Sequence, residues 1–349
     1  MIKAVIADDS AFLRTVLRDV LSASNKINVV GAAKNGKEAI NFVRDLKPDI
    51  LILDCEMPVM NGLEALRRIM DATPLPIFMF SSLTQEGASV TLKALEYGAV
   101  DFLPKPTRGA HGLEDVAQEL IRKVEIVVRK ERLRRLSWDK KPSGAPVKKK
   151  SPVELTKGKF DLIAIGSSTG GVQAAVEVVK NLPARTRPIV WVQHMPPAFT
   201  KSFAERLDDL SAITVKEADE GDVLRDNTCY IARGGLQMRL KKQGMSFKLK
   251  VEGNEKVSGH CPSCNVLFNS VQESFSDNVL GVILTGMGED GADGLLSMHK
   301  KGAFVIGQNE QSCVVYGMPK AAHERGAVDI ELDVKDIAKA IVKKGGAFT

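Results

Sequence analysis

The feature that most constrains this sequence is a set of short, largely unbroken apolar runs, recurring between helix-like stretches in both halves. In the first half they are Ala4–Ala7, Ile27–Ala32, Ile50–Leu53, Ile77–Phe80 and Ala99–Leu103. In the second they are Leu162–Ile165, Ile189–Val192, Val279–Leu284 and Ala303–Ile306. None keeps a strict apolar and polar alternation, so each reads as a strand buried on both faces, as parallel strands covered by helices are. The expected class is therefore α/β, with an N-terminal parallel five-stranded sheet and a C-terminal doubly wound, mostly parallel domain. At 349 residues the chain can bury two full cores. A denser region around Cys229 to Val251, with Gln243-Gly244 as a turn signal, predicts antiparallel strands.

Ligands of open parallel sheets sit at the carboxyl ends of the strands, and those ends are chemically loaded in the first half. Asp8 and Asp9 follow the first run, Asp54 the third, Ser81 and Ser82 the fourth, and Lys105 the fifth. Three carboxylates on one edge repel each other unless a hard cation joins them, and Mg2+ with oxygen ligands and retained waters fits. A lysine and a hydroxyl opposite them suit phosphoryl oxygens.

The second half is loaded in the same way. The run Leu162–Ile165 stops abruptly in GSSTGG, and Gly166, Ser168 and Gly170 satisfy GxSxG. Such a strand-to-helix turn can hold an anion or present a nucleophile. His194 follows the next run in QHMPP, and Asp290 lies in LTGMGEDG. A serine hydroxyl needs a base to attack a carbonyl, an imidazole can take that proton, and a carboxylate steadies the imidazolium. Each residue also has a plainer role open to it. The glycine turn can be structural, His194 can pin the Pro-Pro turn, and Asp290 can cap the helix expected over Gly291–Lys300.

Composition excludes several classes. Hydrophobic residues at 44% and charged residues at 26% are ordinary globular values. Five cysteines, an odd number without a secretory leader, argue against a disulfide framework. No stretch of about twenty apolar residues is present, so a soluble, cytoplasmic protein without direct membrane insertion is expected. Between Arg129 and Lys150 ten basic residues face only Glu131 and Asp139, which more than accounts for the net charge of +6. That run reads as a solvated helix end and linker, and no nucleic-acid partner is expected.

Two resemblances sharpen these readings. Residues 1–107 resemble the receiver domains of two-component systems, through Asp8-Asp9-Ser10, the DCEMP of Asp54–Pro58, Asn61-Gly62 and Lys105-Pro106. The resemblance implies a flavodoxin-like fold with Asp54 as phospho-acceptor. It also implies Asp8, Asp9, Asp54 and the backbone of Glu56 as the Mg2+ site, Ser81 as phosphate-switch hydroxyl, and Lys105 as partner of the acyl phosphate. GSSTGG, QHMPPAFTKSFAERL, LTGMGEDGADG and the segment Asn309–Pro319 resemble the catalytic domain of the chemotaxis protein-glutamate methylesterases, the CheB family.

That second resemblance implies Ser168 as nucleophile, His194 as base and then acid, and Asp290 as the orienting carboxylate. Oxyanion donors are expected near Thr169, Gly170 and Met287. The implied reaction is hydrolysis of glutamate methyl esters on chemoreceptors, releasing methanol, with deamidation of receptor glutamines by the same chemistry and no cofactor for this step. A chemotaxis histidine kinase is the implied phosphodonor, and a monomer is expected. A helix and basic linker over 108–156 would join the receiver to a catalytic domain at 157–349. The competing reading is a non-enzymatic output module whose GSSTGG loop binds a phosphate.

The chain departs from the family at His260-Cys261-Pro262-Ser263-Cys264-Asn265, where HRPS followed by an acidic residue is expected, and at Ala198 in place of glycine. One Cys-x-x-Cys with an adjacent histidine offers too few ligands for a structural zinc site, so two buried or partly exposed thiols are expected.

Overall fold

A computed structural model describes residues 1–105, 110–139, 160–275 and 278–346. The chain divides into two compact units, Met1–Pro146 and Val147–Thr349. Most of the linker expected up to residue 156 lies outside the described residues.

In the first unit, strands β1 (Ile2–Ala7), β2 (Ile27–Ala33), β3 (Ile50–Asp54), β4 (Ile77–Ser81) and β5 (Asp101–Pro104) alternate with helices α1 (Ala11–Ala23), α2 (Gly36–Leu46), α3 (Gly62–Ala72), α4 (Gln85–Glu96) and α5 (Ala110–Asp139). The sheet order is β2-β1-β3-β4-β5, and every pairing is parallel. Polar caps start four of the helices: Ser10, Asn35, Asn61 and Thr84 each accept a backbone N–H of the first turn. In α5, Leu120, Val124 and Val127 are buried. Lys123 of the same helix reaches Asp101 of β5 at 2.8 Å and ties α5 to the sheet edge. The chain reverses its direction across the sheet between β1 and β3, so the loops carrying Asp8 and Asp54 flank the switch point.

The second unit contains β6 (Leu162–Ser167), β7 (Ile189–Gln193), β8 (Thr214–Glu217), β9 (Thr228–Ile231), β10 (Met238–Gln243), β11 (Ser246–Val251), β12 (Val279–Ile283), β13 (Phe304–Gln308) and β14 (Ile330–Leu332). Its helices are α6 (Gly171–Val179), α7 (Pro197–Leu210), α8 (Cys264–Ser274), α9 (Ala292–Lys300), α10 (Met318–Glu324) and α11 (Val334–Ile341). Seven strands form one parallel sheet in the order β14-β13-β12-β6-β7-β9-β8. Among the described strands only β10 and β11 pair antiparallel, joined through Gly244 at φ +62°. The expectation of antiparallel strands from Cys229 onward is corrected at its start, because Cys229–Ile231 pairs in parallel with β7 and β8. Here the chain leaves β6 toward β7 on one side and later returns to β12 on the other, which makes β6 and β12 the switch point.

Candidate active site

Three loops leave adjacent strands at the carboxyl edge of the second sheet. The pairings Ile283 with Gly166 and Ser167 with Gln193 bring the ends of β12, β6 and β7 level. Ser168 follows β6, His194 follows β7, and Asp290 lies past β12. His194 Nε2 and Asp290 Oδ2 are 2.8 Å apart, and both side chains are nearly buried, at 7% and 1% exposure. Because Nε2 meets the carboxylate, the remaining ring nitrogen is Nδ1, which is buried with no hydrogen bond. Ser168 is half-buried. Its hydroxyl makes no hydrogen bond to His194 among the described residues.

Backbone contacts hold the serine loop. Ser168 N donates to Thr285 O at 3.0 Å, and Gly171 N donates to Ser168 O at 2.7 Å. Gln193 Nε2 also donates to Ser168 O at 2.9 Å, while its Oε1 accepts Ser167 Oγ at 2.6 Å. Ser167 Oγ in turn accepts the Trp191 indole N–H at 2.8 Å. This buried chain fixes the turn from below. Gly170 has φ +79°, and a Cβ there would lie 2.4 Å from Val314 Cβ, so both conformation and space require glycine. Thr169 is buried and its carbonyl accepts Thr285 Oγ1 at 2.9 Å; Met287 is half-buried on the β12 side.

Asp290 does not cap the helix that follows it. The N-cap of α9 is Gly291, with no side-chain cap bond. Instead Asp290 accepts at the N-terminus of α8, from Ser263 Oγ at 2.8 Å, Cys264 N at 2.6 Å and Asn265 N at 3.2 Å. Burial works to raise its carboxyl, but the hydrogen bond and charge of His194, with Ser263 and Cys264, bring it down to about 2.

Sequence reasoning did not place residues 260–265 at this site. His260 stacks on His194, with ring centroids 3.7 Å apart at 11°. Cys264 is buried with Sγ 3.7 Å from His194 Nε2, and Cys261 is partly exposed, so the expectation for the two thiols holds. Asn265 Oδ1 accepts Gly294 N at 2.8 Å and links α8 to α9, which supplies locally the acceptor expected from an acid at this position. The only sequence signal for this neighbourhood was its departure from the family pattern.

The first unit has its own cluster. Oxygens of Asp8, Asp9 and Asp54 lie within 4.8 Å of one another. Asp8 Oδ2 and Asp54 Oδ2 are buried and share the Lys105 ammonium, at 3.2 and 2.7 Å. Burial raises the Asp54 carboxyl to about 6 even with Lys105 beside it. Burial also works to lower Lys105, but Asp54 and Asp8 hold its pKa above the ordinary value. Glu56 is exposed, and its N–H donates to Asp54 Oδ1 at 3.2 Å. Ser81 ends β4 and is buried; its hydroxyl accepts Thr91 Oγ1 at 2.7 Å and lies 3.3 Å from Gly87 O. Ser82 bonds Thr84 Oγ1 at 3.2 Å instead.

Gly62 sets the Asp54 loop, since a Cβ there would lie 1.9 Å from the Asp54 carbonyl oxygen. Gly62→Ala is expected to destabilise the first unit by roughly 1–3 kcal/mol, as overpacking against rigid backbone does. Chemical denaturation followed by a probe in that unit checks this, and an unchanged midpoint would contradict it.

Fold and site together define a chain that joins a receiver-type sheet to an α/β domain with a His–Asp pair at its switch point. The family model for CheB methylesterase matches residues 163–341, and that for the response regulator receiver domain matches residues 4–117. Over 341 residues the chain is 44% identical to a protein-glutamate methylesterase/protein-glutamine glutaminase of Sulfurimonas denitrificans, covering 96% of this chain and 97% of that protein. A protein of the same name from Lawsonia intracellularis is 43% identical over 352 residues, covering 98% of each chain. The crystal structure of the Thermotoga maritima CheB methylesterase catalytic domain is 37% identical with a TM-score of 0.52, covering 53% of this chain and 98% of that one. This chain belongs to the CheB methylesterase family, with a receiver domain at its N-terminus. Among the described residues, no helix is long and apolar enough to cross a membrane.

Proposed function

We propose that this chain hydrolyses glutamate methyl esters on chemoreceptors and deamidates receptor glutamines, under control of phosphorylation at Asp54. The observation that carries the reading is the buried hydrogen bond between His194 and Asp290 beside the Ser168 turn, in a chain of this family. Ser168 Oγ attacks the ester carbonyl, and His194 Nδ1 takes its proton while Asp290 holds Nε2–H. The protonated ring then gives that proton to the leaving methoxide, so methanol departs and an acyl-enzyme remains. Water, deprotonated by the same nitrogen, hydrolyses the acyl-enzyme and restores Ser168. With a glutamine side chain the leaving group is ammonia. Backbone N–H groups at Thr169, Gly170 and Met287 are assigned to the oxyanion, where one donor contributes roughly 2.7–4 kcal/mol.

The names of the relatives support this enzyme rather than a phosphate-binding output module. Local bonding points the same way, because the Ser168 and Gly171 amides of the GSSTGG turn are already engaged by Thr285 O and Ser168 O.

In the receiver, Asp8, Asp9 and Asp54 with the Glu56 carbonyl are assigned to Mg2+. The convergence of Asp8, Asp9 and Asp54 oxygens within 4.8 Å of one another fits a hard cation. The ion would offset negative charge as a phosphoryl group approaches. Asp54 accepts that group, Lys105 pairs with its oxygens, and Ser81 leaves Thr91 to bond it. The phosphodonor is a histidine kinase of the chemotaxis system.

Methanol release from methylated receptor membranes, with and without a small-molecule phosphodonor, tests the switch. Stimulation within the range of about 5- to 150-fold typical of allosteric coupling is expected for the wild type and none for Asp54→Asn. Stimulation that survives in Asp54→Asn would remove the role given to Asp54.

A further inference from the structure

Cys264 is the first residue of α8 and is fully buried. Its sulfur is 3.7 Å from His194 Nε2, and its backbone N–H donates to Asp290 Oδ2. The sulfur also lies 4.0 Å from the Val192 carbonyl. A ring nitrogen of His194, the thiol of Cys264 and a carboxylate oxygen of Asp290 all lie within 4.8 Å of one another. One imidazole, one thiolate and one carboxylate form a mixed set that Zn2+ accepts, usually as a tetrahedron. Zinc bond lengths of about 2.0–2.3 Å put ligand atoms roughly 3.3–3.6 Å apart. The His194–Cys264 separation is already close to that, and the His194–Asp290 pair at 2.8 Å needs to open only slightly. Cys261 points elsewhere, with its sulfur toward Gly253 O at 3.9 Å, so the CPSC motif does not chelate as a pair.

We propose that His194, Cys264 and Asp290 form an inhibitory Zn2+ site. Binding releases the thiol proton to solvent and moves the ring proton from Nε2 to Nδ1, because a neutral imidazole that ligates through one nitrogen carries its proton on the other. Nδ1 can then no longer accept the Ser168 proton, and Asp290 is withdrawn from the ring. The inhibition rests on the esterase reading; the binding does not.

The test uses the full chain with Co2+ as a spectroscopic probe and Zn2+ as inhibitor. A thiolate-to-cobalt charge-transfer band in the near ultraviolet is expected, retained in Cys261→Ser and lost in Cys264→Val. The receiver carboxylates offer only oxygen and give no such band. A second variant, Cys264→Ala, serves if the valine variant does not fold. Zn2+ is expected to suppress methanol release reversibly on addition of a chelator, with sensitivity falling by about tenfold or more in Cys264→Val. Absence of the thiolate band, its persistence in Cys264→Val, or its loss in Cys261→Ser alone would overturn the site. A band that follows Cys264 in a protein that releases no methanol would uphold the site and sink the esterase reading.

Discussion

Ser168→Ala is expected to reduce methanol release from methylated receptor membranes by roughly 10⁶-fold, the scale seen when a serine nucleophile acting in concert with its base is removed. The substitution is well suited to the purpose because the known ties of Ser168 run through its backbone. Its N–H donates to Thr285, and its carbonyl accepts from Gly171 and from the Gln193 amide. All three bonds persist in alanine, and the serine hydroxyl makes none that would be lost among the described residues. The thermal midpoint of the second unit should therefore stay within the range of a neutral surface change, about ±0.5 kcal/mol. Loss of activity with an unchanged midpoint assigns the effect to chemistry. A variant that retains release within about tenfold of the wild type would show that another group attacks the ester.

Much of this architecture was legible because parallel strands buried on both faces must be apolar, while the loops at their carboxyl ends are free to carry chemistry. Asp8, Asp54, Ser168 and His194 stood out as polar residues directly after such runs. What stayed hidden depends on long-range pairing. The edge strands β8, TVKE, and β14, IEL, are short and half-exposed, so no apolar run marks them. The direction of pairing at Cys229–Ile231 is set by neighbours β7 and β8, not by its own residues, and the antiparallel expectation failed there. Asp290 was read as either a cap or a triad carboxylate. It receives the amides at the start of α8, some 25 residues earlier in sequence, as well as His194. The positions of His260 and Cys264 against His194 follow from that same contact between α8 and the loop after β12, which local sequence does not encode.

Asp290→Asn should lower kcat by about 10⁴-fold with little change in KM, as loss of the orienting carboxylate does in serine triads. The expected cause is a wrong tautomer. With Asp290 ionised, His194 carries its proton on Nε2 and leaves Nδ1 free to accept; an amide can turn its NH2 toward Nε2 and drive the proton to Nδ1. The same change also costs stability. One carboxylate now accepts from His194, Ser263 Oγ, Cys264 N and Asn265 N, and an amide has a single acceptor oxygen for them. Activity and stability separate through their pH dependence. The Asp290 carboxyl is held at about 2, below its ordinary 3.8. Its ionised form therefore contributes stability that is complete above the unfolded value and is lost as pH falls from there toward 2. In the wild type Asp290 is thus ionised throughout the neutral range and contributes no limb to kcat/KM there. The asparagine variant should recover part of its rate at high pH, where hydroxide substitutes for the missing base, while its midpoint stays low throughout. A variant whose rate falls in proportion to its folded fraction alone would make Asp290 a structural anchor for α8 and remove it from the triad.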